Sequence, residues 1–232
     1  MIAFFDAIAA FEVIEVLLAL GLVVSALVCL FDRHLVRACY SFTAFAAVMA
    51  VVWWQLGAPW LATVELVLGL GLTGPCFFYA LGHVFPGASA SLERDTFSEP
   101  SARVAMRVGL ALAWFVMVGG AIHAVIADMA YSPLEHPLLI AGVVIAATAL
   151  GAFALHRHLL RRLLAFNLLG SGVFMLLAGV AGTSAAAQAL ISVGLVVAWL
   201  GTMLGALLIR QLVHLEGEAA LGRDGKPKEG AI

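Results

Sequence analysis

Charge is what this sequence has least of. Of its 232 residues 11% are charged and 64% are hydrophobic, with a mean hydropathy of +1.09; a soluble domain carries roughly 25% charged residues. A soluble globular domain is excluded, and the chain reads as a polytopic membrane protein. No Lys or Arg precedes Arg33, so the positive region that opens a cleavable signal peptide is missing. The formal net charge of −2 offers no basic surface to nucleic acid. Cysteine is scarce too: Cys29, Cys39 and Cys76 all fall in apolar segments, form no CxxC, and read as small buried apolar residues. There is no HExxH, no P-loop, no GxGxxG at a strand–helix junction and no His pair at ligand spacing on one span. Six of the seven histidines sit at expected helix ends or in loops, and His123 stands alone, which disfavours haem ligation. No metal site or cofactor is expected, and no enzyme acting through this chain by itself.

What the chain has in abundance is long apolar runs. Seven are long enough to span a bilayer, which takes about 20 residues, near 12–31, 38–56, 60–83, 104–127, 137–155, 162–181 and 185–211. They lack the period-two alternation of barrel strands, so they are expected as helices. All twelve basic residues then fall on one side. These are Arg33 and Arg37, then Arg94, Arg103 and Arg107, then Arg157, Arg161 and Arg162, and finally Arg210, Arg223, Lys226 and Lys228. The positive-inside rule predicts an outer N-terminus and a cytoplasmic C-terminus. The outer side carries only acids: Asp6, Glu12, Asp128 and Glu135. Six or eight helices would scatter the arginines.

One stretch stands out, Gly57 to Pro75, GAPWLATVELVLGLGLTGP, with the single carboxylate Glu65. An ionisable group inside a span is expensive and marks a functional site by default. Glu65 is expected about five residues, or roughly 8 Å, inside the outer boundary. Gly69, Gly71 and Gly74 follow, then Pro75, which removes a backbone N–H and clashes with the carbonyl of Gly71, predicting a helix kink at Gly71 and Pro75. The glycines serve either close packing or a water-accessible kink. Glu12 and Glu15 near the outer end of the first span suit the helix dipole, with Glu15 one turn deeper and also an ion-pathway candidate. Trp53 and Trp54 read as interfacial anchors. His123, Asn167, Ser184 and Gln188 are polar residues in or near later spans; each serves an interhelical hydrogen bond or an ion pathway.

Arg33-His34-Leu35-Val36-Arg37 recurs as Arg157-His158-Leu159-Leu160-Arg161. Each copy follows one span and precedes two, and Glu65 and Gln188 fall at nearly equal distances beyond. Two three-helix units in one orientation are expected, with the fourth span bringing the chain back across. The predicted organisation is 1–86, a first unit with Glu65; 87–136, a cytoplasmic loop and connecting helix; 137–212, a second unit; and 213–232, a cytoplasmic tail.

Residues 12–83 resemble the small three-helix module of Mrp-type cation/proton antiporters and of related membrane-bound hydrogenases. That pattern is roughly GAPD-x-A-x-TE followed by a glycine-rich helix. Here it reads Gly57-Ala58-Pro59-Trp60-Leu61-Ala62-Thr63-Val64-Glu65, then Gly69 and Gly71. Trp60 replaces the acid after Ala-Pro and Val64 replaces the Thr before Glu. Residues 137–211 resemble the adjacent small Mrp subunit, which is related to the K subunit of respiratory complex I. The family's R-N-L-x-R becomes Arg157-His158-Leu159-Leu160-Arg161, and its P-Q-A-L-x-L-T becomes Ala187-Gln188-Ala189-Leu190-Ile191-Ser192. Asn167 stands where the complex I subunit has a buried Glu, and Phe174 replaces a common Asn. The chain looks like a fusion of the two modules.

The resemblance implies an accessory subunit of a multisubunit assembly that exchanges protons for a cation, with sodium the expected ion. The large antiporter-like subunits and other small membrane subunits would be its partners. Glu65 is the residue expected in the ion pathway, followed by Gln188, Asn167, His123 and Glu15. A prokaryotic cell membrane is the expected location. The alternatives are a subunit of an antiporter-like complex coupled to inorganic-carbon uptake, and a scaffold subunit that carries no ion.

Overall fold

An apolar run in a bilayer has no water to satisfy its backbone, so it closes its hydrogen bonds internally as a helix. The structure is a computed structural model that describes residues 2–82, 136–156, 158–182 and 184–216, with isolated positions between 102 and 124; within these, side chains are described from residue 13 onward, except at 155 and 216. The protein is all-α. Its elements are α1 (Ile2–Phe31), α2 (Leu35–Gln55), α3 (Pro59–Glu65), a π-helical segment π1 (Leu66–Thr73), α4 (Gly74–Leu81), α5 (Pro137–Leu155), α6 (Leu159–Ala181) and α7 (Ala185–Glu216). The third span is α3, π1 and α4 in continuous succession. Among the described residues six spans are long and apolar enough to cross a membrane. The seventh expected span, 104–127, falls outside the described residues except at isolated helical positions. The polar linker before it and the tail beyond 216 fall outside too.

The two copies of the arginine motif fold into matching turns. His34 and His158 are the N-caps of α2 and α6, both extended, at φ −86°, ψ 109° and φ −71°, ψ 122°. The next turn in each unit contains a left-handed glycine, Gly57 at φ +73° after α2 and Gly182 at φ +70° after α6. A side chain at either position would be strained. The second copy also departs from expectation. Arg161 belongs by sequence with the loop arginines, yet its side chain is 4% exposed. It donates from Nη1 to the carbonyl of Leu30 at 3.0 Å and from Nη2 to that of Asp32. These carbonyls lie at the C-terminal end of α1, where intrahelical partners run out. One arginine therefore ties the α1–α2 turn to the start of α6. Asp32 completes the junction by accepting from the His34 N–H at 2.9 Å, with Arg37 Nε 3.7 Å from its other oxygen.

Small residues let α5 and α6 approach closely. A Cβ added at Gly172 of α6 would lie 2.8 Å from the backbone N of Ala146 and 3.0 Å from the carbonyl oxygen of Gly142, both on α5. Backbones approach this closely only where side chains are absent. In the first unit, Phe42 of α2 meets Phe77 of α4 edge to face at 4.8 Å. The units meet where α1 packs on α5 and where α3, π1 and α4 pack on α7. Trp53 corrects the expectation of paired interfacial anchors: it is fully buried in the core, while its neighbour Trp54 is 68% exposed. Adjacent helical positions point about 100° apart, so only one of the pair can face outward.

Candidate functional site

Glu65 ends α3, and its side chain is 2% exposed. Immediately after it the backbone widens into π1. The N–H of Gly74 bonds to the carbonyl of Gly69, five residues back, and the Thr73 hydroxyl donates to the carbonyl of Leu68 at 2.7 Å. π-Helical turns are rare and favour functional sites. Gly69 lies against Ala46 of α2, and a Cβ there would collide with Glu65 Oε1, so its missing side chain is what leaves room for the carboxylate. Gly74 similarly faces Thr43 of α2. Gly71 and Pro75 lie on the exposed face, away from Glu65.

The carboxylate lines a cavity of about 20 Å³ between the two units. Thr73 of π1, Asn167 and Ser171 of α6 and Trp199 of α7 line it too, with Phe42 and Phe174 among its apolar walls. That volume suits one water. Among the described residues Glu65 Oε2 and Trp199 Nε1 are both buried without a hydrogen-bond partner, as is Nε1 of Trp53, whose indole is close enough to interact with the carboxylate. Among the described residues no cation pairs with Glu65. Asn167, by contrast, is fully engaged. Its Nδ2 donates to Thr202 Oγ1 of α7 at 2.7 Å and to the carbonyl of Leu163 at 2.9 Å. Thr202 itself is wholly buried and also reaches the carbonyl of Ala198.

Of the five pathway candidates, the cavity gathers two, Glu65 and Asn167. Gln188 lies in the first turn of α7, half-buried, and Glu15 is half-buried on α1; neither lines the cavity. Near Gln188 the units are joined by a different bond, Trp60 Nε1 donating to Ser192 Oγ at 3.1 Å. His123 lies outside the described residues. Sequence reasoning does not single out Thr73, Ser171 or Trp199, nor an inward role for Trp53. Their residue types are ordinary in apolar helices, and only the packing of the helices against α3 and π1 brings them to Glu65. Among the described residues no cluster of His, Cys, Asp and Glu fit to hold a metal occurs.

Residues 20–85 match the MbhD family of MBH subunits. The match spans most of the first unit and includes Glu65. No curated protein and no solved structure matches the chain.

Proposed function

We propose that this chain is a membrane subunit of a multisubunit ion-translocating assembly of the membrane-bound hydrogenase or Mrp antiporter kind, and that Glu65 is its contribution to the ion pathway. The match of residues 20–85 to the MbhD family supports the first half of this reading. The second rests on one observation: a buried carboxylate, with no cation partner among the described residues, shares a water-sized cavity with Thr73, Asn167 and Ser171. An ionised group at the centre of a span costs about 2.5–3.5 kcal/mol on insertion scales, an upper bound for Glu65, which lies about two turns inside the start of α3. A purely structural carboxylate would offset that cost with hydrogen bonds to both oxygens. Among the described residues Glu65 has only the nearby Trp53 indole as a candidate donor and no cation. That arrangement suits a group that takes up and releases a proton.

In this reading the second unit is a K-subunit-like module fused to the first, and it supplies the far wall of the cavity. Asn167 positions that wall, and Gln188, Glu15 and His123 rank behind it. The N-terminus faces outward and the arginine-bearing ends face the cytoplasm of a prokaryotic cell. Partner subunits carry the remaining charged relay, and the assembly exchanges protons for a cation, sodium being the expected one.

The test is Glu65→Gln in the complete assembly, reconstituted in vesicles. Proton-coupled cation transport is expected to fall by about 10²-fold, the scale of losing a positioned proton-transfer group, with subunit composition unchanged. Wild-type transport by an intact Gln variant would overturn the pathway role and favour a scaffold.

A further inference from the structure

A second cavity, independent of the Glu65 site, opens between α6 and α7 at the arginine-bearing end. It encloses about 290 Å³. On α6 it is lined from Leu159 to Phe166 and on α7 from Gly205 to Leu212, two turns of each helix, or about 10 Å at 1.5 Å per residue. Leu163 closes its floor against Gly205, where a Cβ would stand 2.7 Å from the leucine. Every lining residue is apolar or glycine except Arg162.

Arg162 lies in the first turn of α6, exposed, with its guanidinium 4.9 Å from the centre of the Phe153 ring. It has no ion pair and no hydrogen bond among the described residues. Arg33 is likewise exposed, but it does not line the groove, and three further arginines of this end are engaged differently. Arg161 is buried against the carbonyls of Leu30 and Asp32, Arg37 stands beside Asp32, and Arg210 lies 5.7 Å over the Tyr79 ring. Among the described residues Arg162 thus has no acidic partner, and its positive charge stands directly above an apolar groove. A groove about 10 Å long covers only a third of a hydrocarbon core of about 30 Å, which is short for a neighbouring transmembrane helix. It suits the upper part of an acyl chain with a phosphate at its head. Basic pockets between membrane helices bind anionic headgroups in this way.

We propose that this groove binds an anionic phospholipid, with an acyl chain between α6 and α7 and the phosphate on Arg162. The experiment is native mass spectrometry of the full chain released from nanodiscs of equal phosphatidylglycerol and phosphatidylcholine. The wild-type chain is expected to retain phosphatidylglycerol in preference to phosphatidylcholine. Arg162→Gln is expected to lower the retained phosphatidylglycerol about fivefold, the effect of one basic residue at a membrane surface. Leu208→Trp, which fills the groove from a half-exposed position, is expected to lower retention while leaving the charge in place. Arg210→Gln is expected to leave retention unchanged. Wild-type retention by both the Arg162 and Leu208 variants would overturn the proposal, as would equal losses in the Arg162 and Arg210 variants, the mark of diffuse attraction. Disulfide cross-linking of Leu208→Cys to a cysteine substituted within 104–127 would place that segment of this chain in the groove and overturn it as well.

Discussion

The hydroxyl of Thr202 accepts a hydrogen bond from Asn167 Nδ2 at 2.7 Å, and the pair fixes α6 against α7 where they wall the Glu65 cavity. Thr202→Val keeps the shape and removes the bond. Interhelical bonds in membranes contribute about 0.6 kcal/mol on average and up to about 1.7, so a loss in that range is expected in equilibrium unfolding in mixed micelles. Because the wall shifts with the bond, transport in the assembly should fall by less than in the Glu65→Gln variant but measurably. An unchanged unfolding free energy would show that the bond contributes nothing.

Gly69→Ala addresses the carboxylate without changing its chemistry. The added methyl would occupy the place of Glu65 Oε1, so the side chain must take another rotamer. Hydrophobic carbodiimides label protonated carboxyl groups in apolar surroundings. Glu65 is expected to label in the wild-type chain, and the rate should change in the Gly69 variant. Peptide mass spectrometry locates the adduct, and identical labelling of both proteins would mean the side chain had not moved.

Gly172→Ala tests the α5–α6 contact. Its methyl would press on the backbone of Ala146 and Gly142, which cannot swing aside as a side chain can. Overpacking of this kind costs about 1–3 kcal/mol. Gly201→Ala, where the nearest atom is a Phe166 side-chain carbon at 3.7 Å, is expected to be neutral apart from helix propensity. Thermal unfolding of the two variants in detergent should separate them clearly, and equal midpoints would refute the contact.

Arg161 and Arg162 are sequence neighbours with opposite roles. Truncating Arg161 to Gln leaves the carbonyls of Leu30 and Asp32 without their donor. Hydrogen bonds to a charged group contribute about 1.5–3 kcal/mol, so a distinct drop in unfolding midpoint is expected. Arg162→Gln is expected to unfold like the wild type in lipid-free detergent. Equal destabilisation by the two changes would contradict the buried tie.

How much of this can be read from the residues depends on the physical signal involved. The spans are legible because long apolar runs admit few structures in a bilayer, and α5 begins at Pro137 as expected. Glu65 is legible because a lone carboxylate in such a run is conspicuous. The helix ends are less so: α1 begins at Ile2 and α7 runs to Glu216, beyond the apolar windows. The π1 segment leaves no trace in composition, since a run of Leu, Val and Gly carries no mark that separates a five-residue hydrogen-bond step from a four-residue one. Trp53 and Trp54 are indistinguishable by type, and which one turns inward depends on where α2 meets its neighbours. The gathering of Asn167, Ser171 and Trp199 beside Glu65 is a tertiary fact, set by the rotation of α6 and α7.

The size of the Glu65 cavity bears on which species the proposed pathway would admit. About 20 Å³ suits one water, which leaves no place for the several waters of a hydrated sodium ion. An alkali cation could reach this carboxylate only stripped bare, into a chamber where the rest of the wall is two hydroxyls, an amide already committed to Thr202, an indole and hydrocarbon. A proton needs no such room, because it travels by changing which atom it is bonded to. For the exchange proposed above, this conformation would favour a proton over a hydrated cation by volume, and trimming Phe174 or Phe42 is the change expected to relax that preference.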